Sequence, residues 1–142
     1  MGEDLGEWDD SSSLVPEIEA EAVIIAKENC IISGLAQAQE IFAYFGLKTV
    51  PLYDDGEFVP EASQVLIVRG SARAILQSER LALNFMARMS GISTLTRECV
   101  LSAGGRVRIA ATRKTTPGFR VFEKKAVFLG GGDTHRFNLS DA

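Results

Sequence analysis

The stretch 107-VRIAATRKTTPGFRVFEKKAVFLGGGDTHRFNL-139 decides the fold. Val107–Ala111 is a short apolar run after the Gly104-Gly105 turn and reads as a buried strand. Thr116-Pro117 suits a helix cap followed by proline at the first helical position. Phe119, Phe122, Ala126 and Leu129 then keep helical spacing, and Gly130-Gly131-Gly132 ends the helix. Thr134–Leu139 is a candidate second strand. Strand, helix, strand opens a parallel βαβ series, which assigns the chain to the α/β class. One such unit cannot cover both faces of a parallel sheet, and no further unit follows, so the chain reads as unfinished.

Upstream, residues 71–103 form a long helical stretch in which Ile75, Ala82, Met86, Met89 and Ser93 share a stripe. Gly91 marks a break or a close helix contact within it. Earlier still, Ile18–Cys30 reads as a half-buried strand, alternating at first and then apolar. Gly34 precedes 35-LAQAQEIFAYFG-46, a helix with Leu35, Ala38, Ile41, Phe42 and Phe45 on one face. Short strands are expected over Thr49–Tyr53 and Gln64–Arg69, with Asp55-Gly56 turning between them. Residues 1–16 are polar and turn-rich, as in a flexible or partner-docked arm.

The 142 residues suffice for one domain with a core and are too few for two full ones. A 46% hydrophobic and 24% charged composition is that of a soluble globular chain. No apolar run approaches the roughly 20 residues of a membrane span, and the acidic N-terminus reads against a secretory signal. Cys30 and Cys99 are far apart and lack CxxC or Cys/His spacing, which suggests buried free thiols in a reducing cytoplasm and does not indicate zinc. The net charge of −4 conceals a division: residues 1–68 carry a net −12 and residues 69–142 a net +8. Such asymmetry points to an anion-binding half, or to an acidic surface that meets a basic one. Nucleic acid is a poor candidate anion, because the basic half has no aromatic-interleaved string and no recognition-helix motif.

Three clusters could carry chemistry. Thr112, Arg113 and Lys114 leave the C-terminal end of the first expected strand, where open α/β folds and barrels place their sites. Arginine suits a planar carboxylate or a phosphate, lysine supplies a point charge, and a helix N-terminus favours anions. The alternative is a solvated basic loop. His135, the single histidine, and Arg136 follow three glycines that match neither the Walker nor the Rossmann pattern. Alone they would read as structural; leaving the next strand on the same side of the sheet ties them to the first cluster. Glu79-Arg80, with Asn84 one turn on, forms a polar patch on the long helix, either an exposed charged pair or a patch awaiting a partner.

The segments 79-ERLALNFMARMSGIST-94, 111-ATRKTTPGFRVFEKKAV-127 and 130-GGGDTHRFNLSDA-142 together resemble the nicotinate-nucleotide pyrophosphorylase, or quinolinate phosphoribosyltransferase, family. The stretches 24-IIAKENCIISGL-35 and 3-EDLGEWDDSS-12 are also similar, the latter with the family's acidic-threonine string altered. The resemblance implies an N-terminal α+β sandwich-like domain over residues 1–103, with the long helix. The start of an open α/β barrel would then occupy 104–142. It implies transfer of phosphoribose from phosphoribosyl pyrophosphate to quinolinate with loss of carbon dioxide, a pentosyltransferase step in NAD biosynthesis in the cytoplasm. Arg113 and Lys114, with Thr112 beside them, would face carboxylates and phosphates, and His135 and Arg136 would complete the quinolinate pocket. Arg80 would reach a neighbouring subunit's pocket, so a homodimer or higher oligomer is implied.

In the family the text after this point continues into a lysine segment, acidic residues that hold Mg²⁺, and glycine-containing phosphate loops. Mg²⁺ is thus the implied cofactor, with its ligands absent from these 142 residues. The chain is expected to be incomplete and inactive alone. Two alternatives stand beside this reading. One is a molybdenum-transport-associated homologue of the same superfamily, against which TTPG followed by EKKA argues. The other is a non-catalytic dimerisation partner.

Overall fold

The computed structural model describes residues 15–16 and 18–137. Most of the expected N-terminal arm, and the last two residues of the run ending at Leu139, lie outside them. The described chain runs β1 (Glu19–Ile25), β2 (Cys30–Ile31), α1 (Leu35–Tyr44), β3 (Lys48–Pro51), β4 (Phe58–Val59), β5 (Gln64–Ser71), α2 (Ala72–Ala103) and α3 (Arg120–Leu129). The mixed helix–strand class expected from sequence is the one observed.

β5 is the centre of an antiparallel sheet ordered β1-β5-β3. The registers bring Ala22 opposite Val68 and Val68 opposite Thr49, so the alternation of β1 places its alanines and Ile24 against the core. Glu21 on the other face of β1 pairs with Arg69 of β5. The core combines Leu66 and Val68 from the sheet with Leu35, Ala38 and Phe42 from α1 and Ile75, Ala82 and Met86 from α2. The small second sheet, β2-β4, closes the turn at Asp55-Gly56.

α2 is a single helix of 32 residues, uninterrupted at Gly91. Ser71 caps its start and a left-handed Gly104 its end. Every member of the sequence stripe (Ile75, Ala82, Met86, Met89, Ser93) is buried, joined by Ser78, Ser90 and Thr96. Hydroxyls towards the C-terminal half of this stripe serve as docking points for other backbones. Thr94 Oγ1 accepts from the Ile31 N–H at 2.9 Å, and Ser90 Oγ accepts from the Ser33 N–H at 3.0 Å and donates to the Ser33 carbonyl at 3.1 Å. Gly34 permits this approach: a Cβ there would stand 3.2 Å from Met86 Cα and from the Phe85 carbonyl, at a φ of 92°.

Three expectations are corrected. First, the expected parallel strands reduce to one bridge between Ala110 and Asp133. Its hydrogen bonds run from the Ala111 N–H to Asp133 O and from the Asp133 N–H to Ile109 O, each 2.8 Å. No strand flanks either side of this pair among the described residues, and Val107 is exposed, so nothing extends the ladder. Second, α3 starts at Arg120 rather than at Pro117. Thr116–Phe119 instead closes a turn, Phe119 N–H to Thr116 O at 3.0 Å, with Gly118 at φ 77° following proline in the order of a type II turn. Third, the cysteines are free but not a buried pair: Cys30 is partly buried and Cys99 exposed.

Candidate functional site

The Ala110–Asp133 bridge sets two loops side by side, 112–116 leaving one segment and 134–137 leaving the other. Four of the six candidate residues taken from sequence are therefore brought together with Thr112: Arg113 and Lys114 on the first loop, His135 and Arg136 on the second. Arg80 lies elsewhere, exposed on α2 two turns before Arg88. At 1.5 Å rise per residue that is about 12 Å along the helix.

In the first loop, Thr112 Oγ1 accepts from the Lys114 N–H at 2.8 Å, a local side-chain turn that fixes the backbone between them. Lys114 is exposed, whereas Arg113 is partly buried. Its Nε is fully shielded and makes no hydrogen bond, a feature shared by Arg73 and Arg97. An enclosed guanidinium N–H without an acceptor is costly unless an anion meets it. In the second loop, Asp133 Oδ1 accepts from the His135 N–H at 2.7 Å, fixing His135 at a left-handed φ of 50°. His135 and Arg136 are both exposed there.

Sequence reasoning assigned no role to the side chains that hold these loops. Arg88, on the same row of α2 as Arg80 and Asn84, donates to Thr116 Oγ1 and pairs with Glu123 in the first turn of α3. Glu123 Oε2 also accepts from the Thr116 N–H at 3.3 Å. Burial pushes the Glu123 carboxyl pKa up, but hydrogen bonds from Arg88 and Thr116, and the Arg88 charge, outweigh it and hold it below the ordinary value. Beneath this link Phe85, Phe119 and Phe122 form an aromatic cluster with ring centroids 4.9–5.0 Å apart, and the Arg88 guanidinium lies over Phe119.

The second loop has its own anchor. Lys124 is fully buried, and its Nζ donates to the Thr134 carbonyl and lies 5.1 Å from the centre of the Phe137 ring. The next residue, Lys125, reaches the opposite way, to Asp55 Oδ2 at 3.1 Å. Asp55 Oδ1 accepts from the Leu35 N–H, so this ion pair ties α3 to the start of α1. The signal available in sequence was the spacing of Arg80, Asn84 and Arg88, and of Arg120 and Lys124, four residues apart on their helices.

The family model for the N-terminal domain of quinolinate phosphoribosyl transferase matches residues 10–90, and that for its C-terminal domain matches residues 92–142. The chain belongs to the quinolinate phosphoribosyltransferase family. Among similar family members, the "probable nicotinate-nucleotide pyrophosphorylase" of Archaeoglobus fulgidus is 44% identical over 130 residues, covering 89% of this chain and 50% of the relative. The chloroplastic nicotinate-nucleotide pyrophosphorylase of Oryza sativa is 42% identical over 146 residues, covering 99% and 39%. The solved nicotinate-nucleotide pyrophosphorylase of Francisella tularensis superposes with a TM-score of 0.94 at 35% identity, covering 99% of this chain and 51% of that one. The chain thus spans about half the length of the curated relatives it matches. These relatives favour the quinolinate family over the molybdenum-associated homologue. Among the described residues no helix is long and apolar enough to cross a membrane.

Proposed function

We propose that this chain contributes the dicarboxylate-binding part of a quinolinate phosphoribosyltransferase site. The observation that carries the reading is the pairing of two basic loops at the Ala110–Asp133 bridge, with the Arg113 Nε enclosed and unbonded between protein atoms. Quinolinate carries two carboxylates on adjacent ring carbons, and a planar guanidinium with a neighbouring ammonium suits one of them. Arg113 and Lys114, beside Thr112, take that role, and His135 and Arg136 on the second loop face the remaining charge.

In the reaction the pyridine nitrogen attacks the anomeric carbon of phosphoribosyl pyrophosphate. The new C–N bond forms as the C–O bond to pyrophosphate breaks. The ring carboxylate next to the nitrogen then leaves as carbon dioxide, and its carbon takes up a proton to give nicotinate mononucleotide. Loops that hold two anions in fixed positions act by orientation and by stabilising charge on the departing pyrophosphate, with no covalent nucleophile. Magnesium would assist that departure. Among the described residues no three His, Cys, Asp or Glu side chains gather to hold a metal. The exposed position of Arg80 on α2 supports its reaching a second subunit, and hence a dimer. Two free cysteines suit the cytoplasm.

Titration calorimetry with quinolinate tests the assignment. The 142-residue chain is expected to bind weakly, and Arg113→Ala to weaken binding by at least about tenfold, the loss of one charge-assisted hydrogen bond. Equal affinity of the two chains would overturn the placement of the pocket.

A further inference from the structure

Arg88 holds the first loop to α2, and Lys124 holds the second to α3. A third basic residue touches both. Arg120 is the first residue of α3 and is partly buried. Its Nε donates to Thr115 Oγ1 at 3.2 Å, and its Nη1 donates to the Phe137 carbonyl at 3.2 Å. Thr115 lies next to Lys114, and Phe137 next to Arg136. The guanidinium therefore has one hydrogen bond on each loop, one residue away from the basic side chains of the proposed pocket.

We infer that Arg120 is a positioning residue that couples the two loops, setting the spacing between Arg113-Lys114 and His135-Arg136 for a ligand with two anionic groups. The inference rests on the proposed reading of those four residues. The backbone bridge at Ala110–Asp133 fixes only the roots of the loops. Beyond it, each loop follows its own anchor, Thr116 to α2 and Thr134 to α3. Both anchors would allow the loop tips to shift relative to one another. The fork of a guanidinium closes that gap, because its donors sit on a rigid plane and point to different edges. A lysine ammonium at the same place keeps the charge but has no such plane.

This difference separates positioning from electrostatics. Arg120→Lys is expected to weaken quinolinate binding about tenfold, whereas Arg106→Gln, which removes a charge near the end of α2, should change it less than about twofold. In the ligand-free chain, amide exchange of residues 112–116 and 134–137 should accelerate together in Arg120→Lys, with α1 and α2 unchanged. Thr115→Val removes only the acceptor on the first loop, and combined with Arg120→Lys it should add almost nothing to the loss of affinity. Unchanged exchange in both loops of Arg120→Lys, or full additivity of the two substitutions, would overturn the coupling. Exchange in one loop alone would also overturn it. Absence of quinolinate binding by the unaltered chain would refute the pocket instead, and the exchange measurement would still decide whether Arg120 couples the loops. Should Arg120→Lys fail to fold, Thr115→Val carries the same exchange test: the second loop must loosen with the first.

Discussion

The two ends of α2 are packed by different chemistry. Its N-terminal half meets the sheet and α1 through Ile75, Ala82 and Met86, side chains that are all but inaccessible to water. Its C-terminal half meets α3 through Ser93, Thr96 and the glycines that follow α3, and the bonds there are polar. The first interface depends on apolar area, which is non-directional and tolerant of small shifts. The second adds to the Phe85-Phe119-Phe122 cluster directional hydrogen bonds and close backbone contact, which fix position but add less stability per contact. The proposed site, which would hold two anions at a set spacing, is built on the second kind. The comparison therefore predicts that substitutions at one end unfold the chain and substitutions at the other misplace the loops.

The largest effect belongs to the apolar end. Phe42, on α1, is 1% exposed and belongs to the core cluster that α1 shares with the sheet and α2. Phe42→Ala should lower unfolding stability by about 3–5 kcal/mol, read from denaturant midpoints at constant slope. A loss below about 1 kcal/mol would mean that the core is loosely packed there, and the contrast between the two ends would collapse.

A smaller effect is expected at Gly130, where a Cβ would stand 2.5 Å from the Ser93 carbonyl and 2.6 Å from Thr96 Cβ. Ser93 Oγ also donates to the Ala126 carbonyl at 2.8 Å, so α2 and α3 are locked at this point. Gly130→Ala forces them apart and should cost about 1–3 kcal/mol, as overpacking does. Its distinguishing mark is disproportion: quinolinate affinity should fall at temperatures where circular dichroism still reports a folded chain. If affinity survives until the melt, the polar end does not govern loop position.

The same contrast explains what was legible in the sequence. Apolar periodicity reports faces that meet water on one side, so the stripe from Ile75 to Ser93 and the face of α1 were readable. Alanine alternation gave β1. The bonds that hold the loops have no period. Arg120 bonding Thr115 and Phe137, or Lys125 reaching Asp55 across 70 positions, depends on tertiary placement. The expected strand at Val107–Ala111 failed for a related reason, since a short apolar run becomes a strand only when neighbours supply its ladder. Thr116-Pro117 suits a helix cap and a turn equally well in sequence, and Gly118 at positive φ decides for the turn. The residues proposed for the pocket rest on the motif resemblance, since spacing alone leaves a solvated basic loop open as the alternative.

The smallest predicted effect concerns Glu123, which belongs wholly to the polar end. Its carboxylate is held by Arg88 and by the Thr116 N–H, in the first turn of α3, where negative charge is also favoured by the helix dipole. The folded state keeps its pKa below the ordinary carboxylate value despite burial. A depressed folded pKa means that the unfolded chain binds the proton more readily. The stabilisation is then complete above the unfolded pKa and disappears as pH falls through the folded one. Arg88 is half exposed, so the magnitude is modest and screened by salt. Thermal melts from neutral to acid pH should show the chain losing stability in that window, and Glu123→Gln losing less over the same range while starting lower. Parallel curves for the two chains would remove Glu123 from the link between α2 and the first loop. The polar end would then depend on Arg88 and Thr116 alone.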